Sequence, residues 1–242
     1  MLDDTILISF SGSEVHREYQ RTFHINYDKY FAKSIQYDLD WIKNSEYYDL
    51  YKNIFAYRKY AGFFLWKPII IKHTLELYPD YKVLYSDANI VFDDMTRFEN
   101  NYKRQMDNTH YFFIKHWNRI NQDWTKRDTF IIMDADIEKY HNANQVWTVL
   151  EGWESSRYDV LMEYLKYCTN EHALVESPNI YDYNYPGFQA HRWEQSIISI
   201  LVEKYNIDCP LDLEFVDILH KDYNTDLVKQ KEEEEKDPLK KE

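Results

Sequence analysis

The segment Val83-Leu84-Tyr85-Ser86-Asp87-Ala88-Asn89 carries an apolar run that ends on an acid. In α/β sheets the carboxyl ends of the strands line the ligand crevice. Asp87 and Asn89, one residue apart, can offer two oxygens to one hard cation, and the small Ala88 lets a backbone come close. A divalent cation there would hold a diphosphate without any glycine loop. The plainer alternative is a strand-end acid that caps the next element. A second acid pair, Asp134 and Asp136, follows Phe130-Ile131-Ile132-Met133 and completes a D-x-D, so it competes for the same role.

Two further blocks combine charge with aromatic residues. In Gly62-Phe63-Phe64-Leu65-Trp66-Lys67-Pro68, the proline suits the first turn of a helix. Free N–H groups and the positive end of the helix dipole would then lie beside Lys67, an arrangement that attracts anions. Its structural alternative is an aromatic plug with Lys67 in solvent. His191-Arg192-Trp193-Glu194-Gln195-Ser196 opens the apolar run Ile197-Ile198-Ser199-Ile200-Leu201. Burying such a polar start costs free energy unless its groups are paired. Glu194 would equally serve as an ordinary first-turn acid. Lys115-His116-Trp117-Asn118-Arg119 interleaves basic and aromatic residues but is too short for a nucleic-acid groove.

The elements that must position these groups follow from periodicity and punctuation. Strands are expected over Thr5–Phe10, Ser34–Tyr37, Lys82–Asp87, Tyr111–Ile114, Thr129–Met133 and Gln145–Leu150. Helices are expected from Glu14 to about Lys33, over Asp38–Tyr60, from Pro68 to about Tyr78, and over Met95–Met106 and Arg157–Tyr167. Glu194–Tyr205 reads as an amphipathic helix with Ile197, Ile198, Leu201 and Val202 on one face. Alternating strands and helices predict an α/β fold with a mostly parallel central sheet. One domain is expected over residues 1–220, followed by a charged, solvated tail at 221–242, where Lys229–Glu242 holds a single apolar side chain, Leu239.

Composition narrows the function classes. The 242 residues are 44% hydrophobic and 18% aromatic, enough for a sizeable core. Lys plus Arg number 29 against 42 Asp plus Glu, a formal net charge of −13, which disfavours general binding to nucleic acid or anionic membranes. The 4 glycines stand far apart, so neither G-x-G-x-x-G nor the P-loop can be written. A phosphorylated ligand must be held by a metal, basic side chains or a helix N-terminus. Cys168 and Cys209 are read as reduced core thiols. No run is long enough for a membrane span and the acidic start lacks a leader's basic region, so a cytoplasmic location is expected, the host cytoplasm if the source is viral.

Together, the blocks Gly62…Leu65-Trp66-Lys67-Pro68, Tyr85-Ser86-Asp87-Ala88-Asn89 and Phe188…His191-Arg192-Trp193-Glu194-Gln195-Ser196 resemble GT-A glycosyltransferases of bacterial surface-glycan clusters and large DNA viruses, the latter of the chlorovirus capsid type. The likeness spans about residues 5–207. It implies a single GT-A-like domain that moves a sugar from a UDP- or GDP-sugar to a glycan or glycoprotein acceptor. It implies Mn²⁺ or Mg²⁺ on the diphosphate, held by Asp87, Asn89 and His191. Asp87 takes the first position of the family's D-x-D, and Asn89 stands where an acid is usual. Lys67, Trp66, Ser86 and Arg192 would contact the donor. Glu194-Gln195 resembles a D-Q pair that lies against the donor sugar in related retaining enzymes, and Asp134 and Asp136 would face the acceptor, where an inverting enzyme would need one of them as base.

Sugar transfer requires charge neutralisation on the leaving diphosphate and a carboxylate or amide oxygen beside the developing oxocarbenium ion. Two other readings remain at this stage. A non-catalytic carbohydrate- or partner-binding protein on the same fold would explain Asn89 and Glu194. The Asp134/Asp136 pair resembles the start of haloacid-dehalogenase-like phosphatases, but Glu138 stands where they carry Thr or Val.

Overall fold

A computed structural model describes residues 1–210 and the strand Val216–Ile218. The tail expected at 221–242 lies outside the described residues. Five strands form the central sheet in the order β2-β1-β3-β8-β5. They are β1 (Leu2–Ser11), β2 (Phe31–Asp38), β3 (Lys82–Ser86), β5 (Tyr111–Phe112) and β8 (Leu150–Trp153). β1 runs parallel to β2 and β3, and β8 is antiparallel to both β3 and β5, so four of the five strands share one direction. The fold is α/β with a mostly parallel sheet flanked by helices. Two small antiparallel sheets are appended: β4 (Ile90–Phe92) with β9 (Val216–Ile218), and β6 (Lys115–Ile120) with β7 (Asn144–Val146).

Both sheet faces are covered, which is why the central strands read as continuous apolar runs. Side chains alternate across the pleat. Ile6, Ile8 and Phe10 of β1, with Val83 and Tyr85 of β3, enter one cluster; Leu7 and Leu84 enter the other. The first cluster is closed by α2 (Trp66–Leu77), α5 (Tyr158–Cys168) and α6 (Trp193–Lys204). The second is closed by α1 (Glu14–Tyr27) and α3 (Met95–Thr109). Gly152 marks where α3 presses on the sheet. A Cβ there would stand 2.5 Å from Phe112 Cβ, 3.0 Å from the Tyr102 ring and 3.1 Å from Met106 Sδ.

Several expectations are corrected. Thr129–Met133 is not a strand but most of helix α4 (Arg127–Ile132). Its apolar run suits either element, and tertiary contacts decide: Thr129 Oγ1 donates to Ala173 O at 2.8 Å, and Asp128 accepts from the Ile180 and Tyr181 amides. Gln145–Leu150 divides between β7 and β8, with the chain turning at Trp147-Thr148-Val149. Asp38–Tyr60 breaks into three short helices, Leu39–Lys43, Glu46–Leu50 and Lys52–Phe55. The helix begun at Glu14 ends at Tyr27, and Phe31 starts a strand instead. α6 is not amphipathic. It is buried nearly all round, and its serines hold neighbouring chain: Ser199 Oγ accepts from Val146 N and Ser196 Oγ donates to Trp124 O. Cys168 and Cys209 are buried and unbridged. No helix among the described residues is long and apolar enough to cross a membrane.

Candidate active site

Three blocks far apart in sequence meet on the face of the sheet covered by α2 and α6. The strand register places Tyr85 opposite Glu151, so both side chains project to that face. Lys67, in the first turn of α2, is 2% exposed. Its Nζ donates to Thr148 O at 2.8 Å and to Glu194 Oε1 at 3.0 Å, and lies 3.8 Å from Glu151 Oε1. The ammonium also sits 4.8 Å from the centre of the Tyr85 ring. The Tyr85 hydroxyl in turn donates to Asp87 Oδ1. Glu194 Oε1 accepts a second bond from Thr148 Oγ1 at 3.1 Å, and Glu151 Oε2 accepts from Trp153 Nε1 at 3.2 Å.

One buried ammonium therefore faces three carboxyls. Glu194 Oε2 and Glu151 Oε1 are buried without a hydrogen-bond partner among the described residues. Burial pushes Glu151 up to about 8, against the pull of Lys67 and with the repulsion of Glu194 added, so it holds its proton at neutral pH. Burial likewise raises Glu194 and Asp87, each opposed by Lys67. A core gains nothing from such an assembly: removing charges from water costs more than their pairing restores unless every group is satisfied. Carboxyls held near neutrality in this way are typical of reacting sites.

Backbone strain concentrates beside the two residues of the central ion pair. Tyr60, Ala61, Gly62, Phe63 and Phe64 all have positive φ, a run of left-handed backbone that delivers the chain into α2. Trp193, immediately before Glu194, has φ 48°. These segments pack on each other, with the Trp193 ring 4.7 Å from Tyr60 and 5.8 Å from Phe64. Strain of this kind persists only where surrounding contacts over-determine it.

The structure changes what several expected residues can do. Lys67 is spent on protein groups, so it is not an open phosphate contact. Trp66 is a core residue, stacked on Phe10 at 3.9 Å with its Nε1 donating to Tyr60 O. Ser86 is buried and donates to Asp87 O. Gln195, half-buried, donates to Gln145 Oε1 at 3.0 Å. Asp136 sits away from a strand end and is fully engaged, accepting from Arg127 Nε at 3.2 Å, His141 Nε2 at 3.0 Å and the Tyr185 hydroxyl at 2.6 Å. Despite partial burial, those donors hold its carboxyl below the usual carboxylate range, which makes it a weak base. Asp134 follows α4 in left-handed backbone.

The cation set implied by the resemblance does not fit these positions. His191 Nδ1 accepts from Lys126 N at 3.3 Å, which leaves Nε2 to donate to Ala173 O at 3.0 Å. Burial, then Lys126, pushes its pKa down to about 3, and neither ring nitrogen keeps a lone pair for a metal. One Asp87 oxygen is taken by Tyr85, and Asn89 supplies no charge. Among the described residues no three His, Cys, Asp or Glu side chains come together as a metal cluster.

The sequence does not single out Thr148 or Glu151, and Tyr85 enters it only as part of the block that holds Asp87. A single acid in the apolar stretch Val149-Leu150-Glu151-Gly152-Trp153 was the available signal.

No protein-family model and no curated protein sequence matches this chain. Among solved structures, it is similar to a glycosyltransferase involved in the glycosylation of the major capsid of PBCV-1, with a TM-score of 0.40 and 8% identity over 95% of this chain and 98% of the other. It is also similar to mouse xyloside xylosyltransferase 1 in its apo form, with a TM-score of 0.43 and 9% identity over 86% of this chain and 71% of the other.

Proposed function

We propose that this protein transfers a sugar from a nucleotide-diphosphate sugar to a glycan or glycoprotein acceptor. The observation that carries this reading is the meeting of Lys67, Asp87 and Glu194. Each comes from a different one of the three blocks that resemble glycosyltransferases, and the three are joined in one buried charge cluster. A purely structural role for those blocks would not require them to meet.

Within this reading the half-buried Gln195 opens α6 beside the sugar, where its amide oxygen offsets developing positive charge at the anomeric carbon, and the buried Glu194 fixes the turn that presents it. Lys67 holds Glu194 in place from behind, and Thr148 fixes the same oxygen. Asp87 is the cluster's half-exposed carboxyl, and its raised pKa suits proton transfer with an acceptor hydroxyl. Asp136 is too firmly hydrogen-bonded for that task.

The test is nucleoside-diphosphate release from UDP-, GDP- and CDP-sugars, with and without candidate glycan acceptors. The wild-type protein is expected to release the diphosphate from one donor class. Asp87→Asn should lower that rate at least about 100-fold, within the range general-base catalysis supplies, while keeping its thermal midpoint. Donor binding with no turnover under any acceptor would instead assign a carbohydrate-binding protein. Absence of both donor binding and turnover overturns the proposal.

A further inference from the structure

With Lys67 buried and the cation set incomplete, the negative charge of a diphosphate must be met by other groups. Arg119 on β6 and Arg192 just before α6 both lie over the indole of Trp124, at 5.0 Å and 4.7 Å from its centre. Neither has a carboxylate within ion-pair distance among the described residues, and Arg192 Nε is buried without a hydrogen-bond partner there. In a chain with 42 acidic residues, two adjacent guanidiniums without an acid are an unusual arrangement. They feel each other: burial, then Arg192, holds Arg119 below the ordinary arginine range. His116 is pushed down to about 3 by burial, then by Arg119 and Arg192, so it stays neutral against the Trp147 ring, 4.4 Å away.

The position is continuous with the carboxyl cluster. Trp147 touches His116, Thr148 binds Lys67 and Glu194, and Val149 O accepts from Asp87 N at 2.8 Å. Three consecutive residues thus connect His116, whose pKa both arginines lower, to the cluster. Arg192 is two residues from Glu194, and its own N–H is fixed by Trp124 O at 3.1 Å. Two planar forks braced on one indole are suited to a bidentate, doubly charged anion.

We propose that Arg119 and Arg192, braced on Trp124, bind the diphosphate of the nucleotide sugar and carry its charge in place of a divalent cation. This rests on the nucleotide-sugar reading of the site and adds to it that donor binding is independent of metal. Trp124 braces both guanidiniums, and their terminal nitrogens supply the donors.

The experiment is calorimetric titration of the full chain with inorganic pyrophosphate, the group common to every such donor, in EDTA and again with Mn²⁺. Sulfate is titrated in parallel. Pyrophosphate is expected to bind in EDTA, more tightly than sulfate and with little gain from Mn²⁺. Arg119→Gln and Arg192→Gln should each weaken it about 10- to 100-fold, as loss of a charge-assisted hydrogen bond does. Arg119→Lys and Arg192→Lys keep the charge but lose the fork, and should fall between; they also serve if a glutamine variant does not fold. Binding that appears only with Mn²⁺, equals that of sulfate, or survives both arginine substitutions overturns the proposal. Donor turnover separates the two readings. Turnover that requires Mn²⁺ sinks the arginine site and leaves sugar transfer standing. Arginine-dependent pyrophosphate binding with no turnover of any donor does the reverse.

Discussion

At the residue scale the site depends on one lysine. Lys67 is the only cation in contact with Glu194 and Glu151 among the described residues, and its removal leaves buried carboxyls uncompensated. Breaking a buried pair by removing one partner typically costs about 3–5 kcal/mol. Lys67→Met should therefore lower unfolding free energy by about that amount in urea titration. Adding Glu194→Gln to Lys67→Met removes the orphaned charge and should restore part of the loss. Additive losses in the double variant would mean that the 3.0 Å pair is not coupled. Lys67, Asp87 and Glu194 were legible in the sequence because each stands out locally: a lysine before a helix-starting proline, an acid ending an apolar run, an acid opening an apolar helix. Glu151 was not, because its importance comes from the register that sets it opposite Tyr85, and register is a non-local property. Asp136 stands out for the opposite reason. Its D-x-D spacing is visible, but the three donors that occupy it come from Arg127, His141 and Tyr185.

At the element scale, packing overrides pattern in specific places. β1 and β3 were legible because both of their faces are buried, which leaves an unbroken apolar signature. α4 was not, since its apolar run is short and only its contacts with Ala173, Ile180 and Tyr181 choose the helix. The left-handed run at Tyr60–Phe64 has no sequence signal beyond Gly62, because four non-glycine residues are held there by Trp193 and the surrounding core. Gly62, at φ +83°, tolerates that backbone freely, and an added Cβ would stand 2.9 Å from the Phe55 ring. Gly62→Ala should cost at least about 1–2 kcal/mol from its left-handed backbone and displace Lys67 from Glu194. Gly152→Ala provides the comparison. It overpacks the opposite face against Phe112, Tyr102 and Met106, and should cost about 1–3 kcal/mol. Donor turnover separates the two: at equal residual stability, Gly62→Ala should lose activity and Gly152→Ala should keep it. Equal losses would place no functional weight on the strained run.

At the scale of the whole molecule, buried titratable groups set how stability varies with pH. Glu151, at about 8 in the folded chain, keeps a proton that the unfolded chain releases near its ordinary value of 4.5. Its contribution is fully present below pH 4.5 and is lost as pH rises to about 8. Glu194 and Asp87, also raised, act with the same sign. His116 and His191, both pushed down to about 3, act oppositely: the unfolded chain binds their protons below 6.5 and the folded chain does not. Their contribution is present above pH 6.5 and is lost as pH falls toward 3. The two effects oppose each other between pH 4.5 and 6.5. Above 6.5 the histidines no longer change, and only the carboxyl limb remains. From pH 6.5 to 8 the Glu151 limb alone amounts to about 2 kcal/mol, at 1.36 kcal/mol per unit. For a chain of this length that is a fall of about 4–8 °C in the thermal midpoint. Glu151→Gln keeps the shape and removes the proton, so its midpoint should fall by about 4–8 °C less than that of wild type over that window. A variant that still declines as steeply as wild type would show that the buried proton resides on another group.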